Sequence, residues 1–291
     1  MKPKRKLINQ LWFILLTAMI FIFSDTIVLI TTGYVPMRLI IEKYRELLPN
    51  GFAENFISYF SFILIHVVTI IYILLTRKEV FRRFTHGYEG NTYKLLIIGT
   101  AAGIICNAVC IGAAAWHGDL SFKISGMKLW TVFVLFFAVF VQSSAEELVC
   151  RGYMYHYISD SYGPATAIIA NSCFFGLMHI LNPGISVIAI INIIAVGALL
   201  SIAVYRLKSH WFAVAFHTGW NFCQAFIFGL PNSGEPATYS ILAVSSERKS
   251  ALYDTIFGVE GTITATVVLI AAAVIIYFCK KSAQQSNNGL T

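Results

Sequence analysis

Three short runs carry side chains that apolar segments seldom hold. The first reads Ser143-Ser144-Ala145-Glu146-Glu147-Leu148-Val149-Cys150-Arg151-Gly152, the second Phe174-Phe175-Gly176-Leu177-Met178-His179, and the third Phe216-His217-Thr218-Gly219-Trp220-Asn221. A carboxylate shielded from water is suited to take or give a proton, and a nearby imidazole can hold the attacking water. A second imidazole with an amide one helical turn on can donate to an oxyanion, where electrostatic stabilisation is usually largest. Together these groups fit attack of water on a carbonyl, that is, hydrolysis of a peptide bond inside or beside a membrane. The chain has no Gly-x-Ser-x-Gly elbow to suggest a serine nucleophile. Glu146, His179 and His217 could also serve as three ligands of a divalent metal such as zinc, with water as the fourth. His-Glu-x-x-His is absent, and spacing leaves the metal question open.

Helical geometry sorts the first run. Glu147 and Arg151 are four residues apart, so they share a face in the favourable acid-first order. Glu146 points about 100° away and is left free to meet another helix. Gly163-Pro164 marks a turn between two apolar segments, and Glu146 and His179 are nearly equidistant from it along the chain. An antiparallel pair would therefore hold them level, within reach of a Glu–His contact, with Phe175 and Gly176 allowing close packing there. His217 and Asn221 share a face, but the start of their helix is not sharply marked, so their depth is not fixed. A charge at mid-bilayer costs about 2.5–3.5 kcal/mol on insertion scales, and two acids against one Arg leave a carboxylate that a purely structural knot would not need. Asp25 and His66 read instead as single polar groups satisfied by neighbours, and His156 as a side chain able to reach the interface.

The elements that must position these residues are membrane helices. Of 291 residues, 57% are hydrophobic and only 12% charged, against about 25% charged in ordinary soluble domains. Aromatics reach 14% and the mean hydropathy is +0.72. Those values exclude a soluble globular protein, a disordered chain and a nucleic-acid-binding module. The net charge of +7 falls in short clusters between apolar runs (Lys2, Lys4, Arg5 and Lys6; Arg77, Lys78, Arg82 and Arg83; Arg206 and Lys208; Lys280 and Lys281), a topology signal with cytoplasmic termini rather than a nucleic-acid footprint. About eight stretches approach the length of a span: Leu7–Gly33, Phe56–Leu75, Tyr93–Trp116, Leu129–Tyr157, Pro164–Leu181, Gly184–Leu207, Trp211–Leu230 and Thr262–Cys279. The first reads as a retained helix, since its apolar part is too long for a signal peptide. The expected fold is an all-α polytopic bundle forming a single integral-membrane domain over 1–291, with its catalytic core at about 129–230 and Pro231–Gly261 as a loop. A multi-pass plasma-membrane protein follows, with the bilayer and a membrane-associated peptide or protein as its partners. The six cysteines lie in or beside apolar runs without a CxxC pair and read as packing residues.

Glu146-Glu147-x-x-x-Arg151, Phe175-x-x-x-His179 and His217-x-x-x-Asn221 resemble, in order and on three separate spans, the three motifs of the CPBP (CAAX protease / bacteriocin-processing, Abi) family of intramembrane endopeptidases. That family includes type II CAAX prenyl endopeptidases and bacteriocin-processing or immunity proteins. The resemblance covers about Leu129 to Leu230. It implies that Glu146 activates water with help from His179, that His217 and Asn221 stabilise the oxyanion, and that Glu147 and Arg151 hold the site together. It leaves open both the substrate, whether CAAX-like or a bacteriocin or leader peptide, and the choice between a glutamate-type and a metal-dependent enzyme. Two other classes compete: a proton-coupled transporter relaying protons through the same groups, for which no internal repeat is visible, and a non-catalytic scaffold or immunity protein that needs the fold but not the acid.

Overall fold

In a computed structural model, residues 43–279 are described. The first apolar stretch, Asp25, Lys280 and Lys281 lie outside them. Apolar residues dominate the long helices, and polar caps start most of the later ones. Helices α1 (Phe52–Phe60) and α2 (Ile63–Thr76) are parted by a break at Ser61 and Phe62, and a short basic helix, α3 (Lys78–Thr85), follows. Helix α4 (Tyr93–Trp116) begins where the Thr92 hydroxyl accepts from the Leu95 amide at 3.2 Å. The next apolar run is longer than its composition suggests. Helix α5 (Leu129–Glu147) passes through a π-helical stretch, Leu148–Met154, into α6 (Tyr155–Tyr162), giving one rod of 34 residues.

Gly163, with φ of 86°, ends that rod, and Pro164 opens α7 (Pro164–Met178), as the Gly-Pro pair predicts. Ser186 caps α8 (Val187–Leu207) and Ser209 caps α9 (His210–Phe222), so the helix that carries His217 does have a defined start. A second π-helical stretch, Cys223–Ile227, follows α9 directly. Thr262 caps the last described helix, α10 (Ile263–Phe278).

Four of these helical segments are long and apolar enough to cross a membrane: 52–76, 93–116, 129–162 and 187–207; α7 and α10 are shorter apolar helices. Of the eight apolar stretches expected to meet or approach span length, seven fall on described residues; four of these are long enough to cross and the others form shorter helices, so a count of about eight spans is not reached among the described residues. Ile97, Ile105, Val109, Phe133, Phe137, Val267 and Ile270 stand exposed on helix surfaces, an apolar exterior suited to lipid rather than water. Inside, α9 packs closely on α4, α7 on α8, and α8 on α10. The α4–α9 contact depends on missing side chains: a Cβ on Gly103 would lie 2.1 Å from the Phe216 carbonyl, and one on Gly219 2.3 Å from that of Thr100.

Two details depart from a purely helical reading. The Pro231–Gly261 loop contains a strand, β2 (Leu242–Glu247), paired antiparallel with β1 (Leu120–Ile124) from the α4–α5 linker. His156 does not reach outward: it is 2% exposed, and its Nε2 lies 2.9 Å from Nε2 of His210. Burial of the ring against Tyr88 and His210 keeps it in the interior.

Candidate active site

The long rod delivers two glutamates to the centre of the bundle, both buried. Glu147 is fully enclosed and accepts from Arg151 Nη1 at 3.0 Å, the i,i+4 pair expected from the spacing. Arg151 is itself 0% exposed. Its Nη2 donates to the Gly197 carbonyl at 3.0 Å, and its guanidinium stacks 4.5 Å from the Phe175 ring centre. The π-helical geometry lies directly after the acidic pair, where such bulges often mark functional positions. Its Cys150 carbonyl accepts from Asn171 Nδ2 of α7 at 3.0 Å, which ties the two helices beside the acids.

Glu146 faces the other way, into a cavity of about 190 Å³ that it lines together with Gln142, Phe175, His179, His217, Asn221 and residues of the overlying loops. Its Oε1 accepts from Gln142 Nε2 at 2.5 Å, whereas Oε2 is buried without a hydrogen-bond partner among the described residues. His217 links the two acids: Nδ1 stands 3.1 Å from Glu147 Oε1 and Nε2 stands 3.8 Å from Glu146 Oε2. The 3.8 Å gap is too long for a direct hydrogen bond and suits a bridged contact. Asn221 Nδ2 donates to Gln142 Oε1 at 3.1 Å, leaving the second amide hydrogen for another acceptor.

His179 sits just beyond the end of α7, partly exposed, with Nδ1 2.8 Å from the Phe175 carbonyl. A carbonyl can only accept, so Nδ1 carries the proton and the neutral ring presents Nε2 as an acceptor. The expected Glu146–His179 contact does not form: both groups line the cavity, but the imidazole closest to Glu146 is that of His217. The reason lies in local backbone, because α7 ends at Met178 and His179 turns off its axis with φ of −100°.

The structure thus brings Glu146, His179, His217 and Asn221 to one cavity and places Glu147 and Arg151 behind it, joined to it through His217. Gln142, which joins Glu146 to Asn221, escaped the sequence reading, although it stands one turn before Glu146 and the same i,i+4 rule would have found it. Glu260, Asn232 and Ser233 also line the cavity, and no sequence signal marked them, since polar residues in a loop are ordinary. His66, read as satisfied by a neighbour, has its Nε2 3.2 Å from Ser144 Oγ. As for a metal, zinc needs its ligands converging at about 2.0–2.2 Å on one point. No group of three or more His, Cys, Asp or Glu side chains among the described residues stands so placed. Glu146, His179 and His217 share the cavity without converging on one point, so they do not fit a three-ligand zinc site.

Residues 128–223 match the family model described as type II CAAX prenyl endopeptidase Rce1-like. The match covers about a third of the chain and contains all six of these residues. No curated protein and no solved structure matches the chain.

Proposed function

We propose, on the premise that residues 128–223 form an Rce1-like, CAAX-protease-type domain of a multi-pass membrane protein, that the chain is an intramembrane endopeptidase of glutamate type. The observation that carries this reading is the Glu146 carboxylate, buried in an apolar bundle with one oxygen lacking a hydrogen-bond partner among the described residues and facing a cavity that His179 and His217 also line. An unpaired buried carboxylate is costly unless it has work to do.

Glu146 Oε2 takes a proton from water, the water oxygen bonds to the scissile carbonyl carbon, and the carbonyl oxygen becomes an oxyanion. His179 Nε2 accepts from the second water hydrogen and fixes the water's orientation. Asn221 Nδ2, with its remaining hydrogen, and the imidazolium form of His217, whose Nδ1–H is held by Glu147 and whose Nε2–H is then a donor, face the position of the oxyanion. Collapse of that intermediate breaks the C–N bond while Glu146 returns its proton to the leaving nitrogen. Gln142 orients both Glu146 and Asn221. Glu147 and Arg151 hold His217 through its Nδ1, much as an acid orients a catalytic imidazole elsewhere.

The substrate class is a membrane-associated peptide or protein. The test is cleavage of a fluorogenic peptide library by detergent-purified protein, wild type against Glu146→Gln, each with and without chelator. General-base removal is expected to lower the rate by about 10³-fold. Equal cleavage by both proteins would sink the assignment of Glu146, and loss of wild-type activity on chelation would replace the metal-free reading with a metal-dependent one.

A further inference from the structure

Across the cavity from the acidic pair stands a carboxylate that the hydrolytic step does not use. Glu260 lies in the short turn Val259–Gly261 before α10, partly exposed and lining the cavity. Its Oε1 accepts from Trp220 Nε1 at 3.0 Å, and its Oε2 accepts from Ser233 N at 2.7 Å and Ser233 Oγ at 2.8 Å. All three donors are neutral. Among the described residues no Lys, Arg or His lies within ion-pair distance of it, and no Lys or Arg lines the cavity. Burial raises its pKa; the three donors and, less strongly, the His179 imidazole across the cavity oppose that shift. A carboxylate so well oriented, yet lacking a counter-ion in a largely apolar setting, has room for a cation.

A second observation points to the same ligand. Asn232 is 5% exposed and lines the cavity one residue from Ser233. Its Nδ2 donates to the Tyr59 hydroxyl at 3.2 Å, but its Oδ1 is buried with no hydrogen-bond partner among the described residues. A tight turn fixes it, because Asn232 and Glu235 exchange backbone hydrogen bonds of 2.9 Å across Ser233 and Gly234. An orphaned acceptor beside an unpaired carboxylate asks for a group rich in N–H donors. Glu146, Glu235 and Glu260 all line this cavity and no Lys or Arg does, so its field is negative.

We infer that Glu260 and Asn232 form a subsite for a protonated nitrogen of the substrate, an ammonium or guanidinium close to the scissile bond. The inference rests on the reading of this cavity as the place where a peptide is cleaved, and it names the class of peptide: one with a Lys or Arg beside the cut, or with its own free amino terminus there. Glu260 receives the charge and Asn232 Oδ1 accepts one N–H, in a cavity that Tyr59 and Trp220 also line.

Binding separates this from catalysis. Fluorescent peptides, N-acetylated and C-amidated, would carry Lys, norleucine or Glu at each central position in turn, with the norleucine series repeated with a free amino terminus. Anisotropy would be read on the full-length protein in detergent in the Glu146→Gln background, where turnover is stopped and the Glu146 charge cannot create a preference. Lys peptides are expected to bind at least about tenfold more tightly than norleucine peptides, with Glu peptides weakest. Glu260→Gln should bring the Lys-to-norleucine ratio close to one, and Glu260→Asp should retain part of it. A merely structural Glu260 would weaken all three series alike and leave the ratio unchanged. Preference confined to the free-terminus series would keep the cation subsite and assign it to the peptide amine. Equal binding of Lys and norleucine peptides, a Lys preference that survives Glu260→Gln, or no saturable binding of any series would overturn the inference. Cleavage of the same peptides by wild type reports separately on hydrolysis, so failure there sinks the protease reading without touching the ratio.

Discussion

The two adjacent glutamates make opposite demands on their surroundings. Glu147 is neutralised by Arg151 and bonded by His217, whereas Glu146 keeps an oxygen unpaired. Glu146→Gln should therefore leave thermal stability in detergent unchanged or higher while abolishing cleavage, the usual trade between stability and a strained functional group. A clear fall in melting temperature would mean that Glu146 is a structural residue. Arg151→Met should be costly, because it strands a buried Glu147 and loses the Gly197 and Phe175 contacts; about 3–5 kcal/mol is expected for breaking such a pair. Replacing both partners, Glu147→Leu with Arg151→Met, should recover much of that stability without restoring activity, and a double-mutant cycle in urea would measure the coupling. At this scale the Glu147–Arg151 pair was legible because helix periodicity fixes it. The His217–Glu146 approach was not, because it depends on the depth of one helix relative to another. Glu260 was invisible, since an acid in a loop breaks no rule until folding lowers it into a cavity.

Among the helices, close approach depends on what is absent. Gly103→Ala or Gly219→Ala would drive a methyl group into a facing carbonyl and should cost about 1–3 kcal/mol. Gly112→Ala, with nothing within 4 Å, should be neutral, and thermal unfolding of the three variants side by side would check the contrast. A similar loss at all three positions would mean that glycine matters here for something other than packing. Apolar runs gave helix positions well, and the Gly163-Pro164 turn, the start of α4 at Tyr93 and the end of α8 at Leu207 all fell as expected. What composition could not reveal is the winding within a run. Both helices that carry the acid and amide motifs switch to π geometry immediately after them, at Leu148 and at Cys223. Hydropathy is blind to such a switch because the same apolar residues serve either winding.

Over the whole molecule, pairing of β1 with β2 ties the linker before α5 to the loop before α10, a contact between segments more than a hundred residues apart that a search for helices does not anticipate. Asp119 anchors this strap: Ser250 Oγ donates to it at 2.5 Å, Arg248 at 2.9 and 3.1 Å, and His117 lies at 2.8 Å. The Ser250 hydroxyl first, then Arg248 and His117, hold its carboxyl down at about 2, below the ordinary 3.8. A depressed carboxyl contributes stability that is complete above its unfolded value and is lost as pH falls through the folded one. The strap should therefore loosen between about pH 4 and pH 2, read as faster amide exchange over 120–124, and Asp119→Asn should remove that dependence. Exchange unaffected by acid in the wild type would show that Asp119 does not anchor the strap.

One further consequence follows from the lengths of the helices. At 1.5 Å per residue the 34-residue rod is about 51 Å long, but the 15 residues of α7 cover only about 22 Å, short of a hydrocarbon layer of about 30 Å. If α7 starts at one surface, His179 and the loop after it stop several ångströms below the other, and lipid there must dip to meet them. The protein would then carry its own dent in the bilayer, shortening the path from water to the cavity that Glu146 lines. Reconstitution in short-chain lipids should ease that mismatch and raise turnover, whereas long-chain lipids should suppress it.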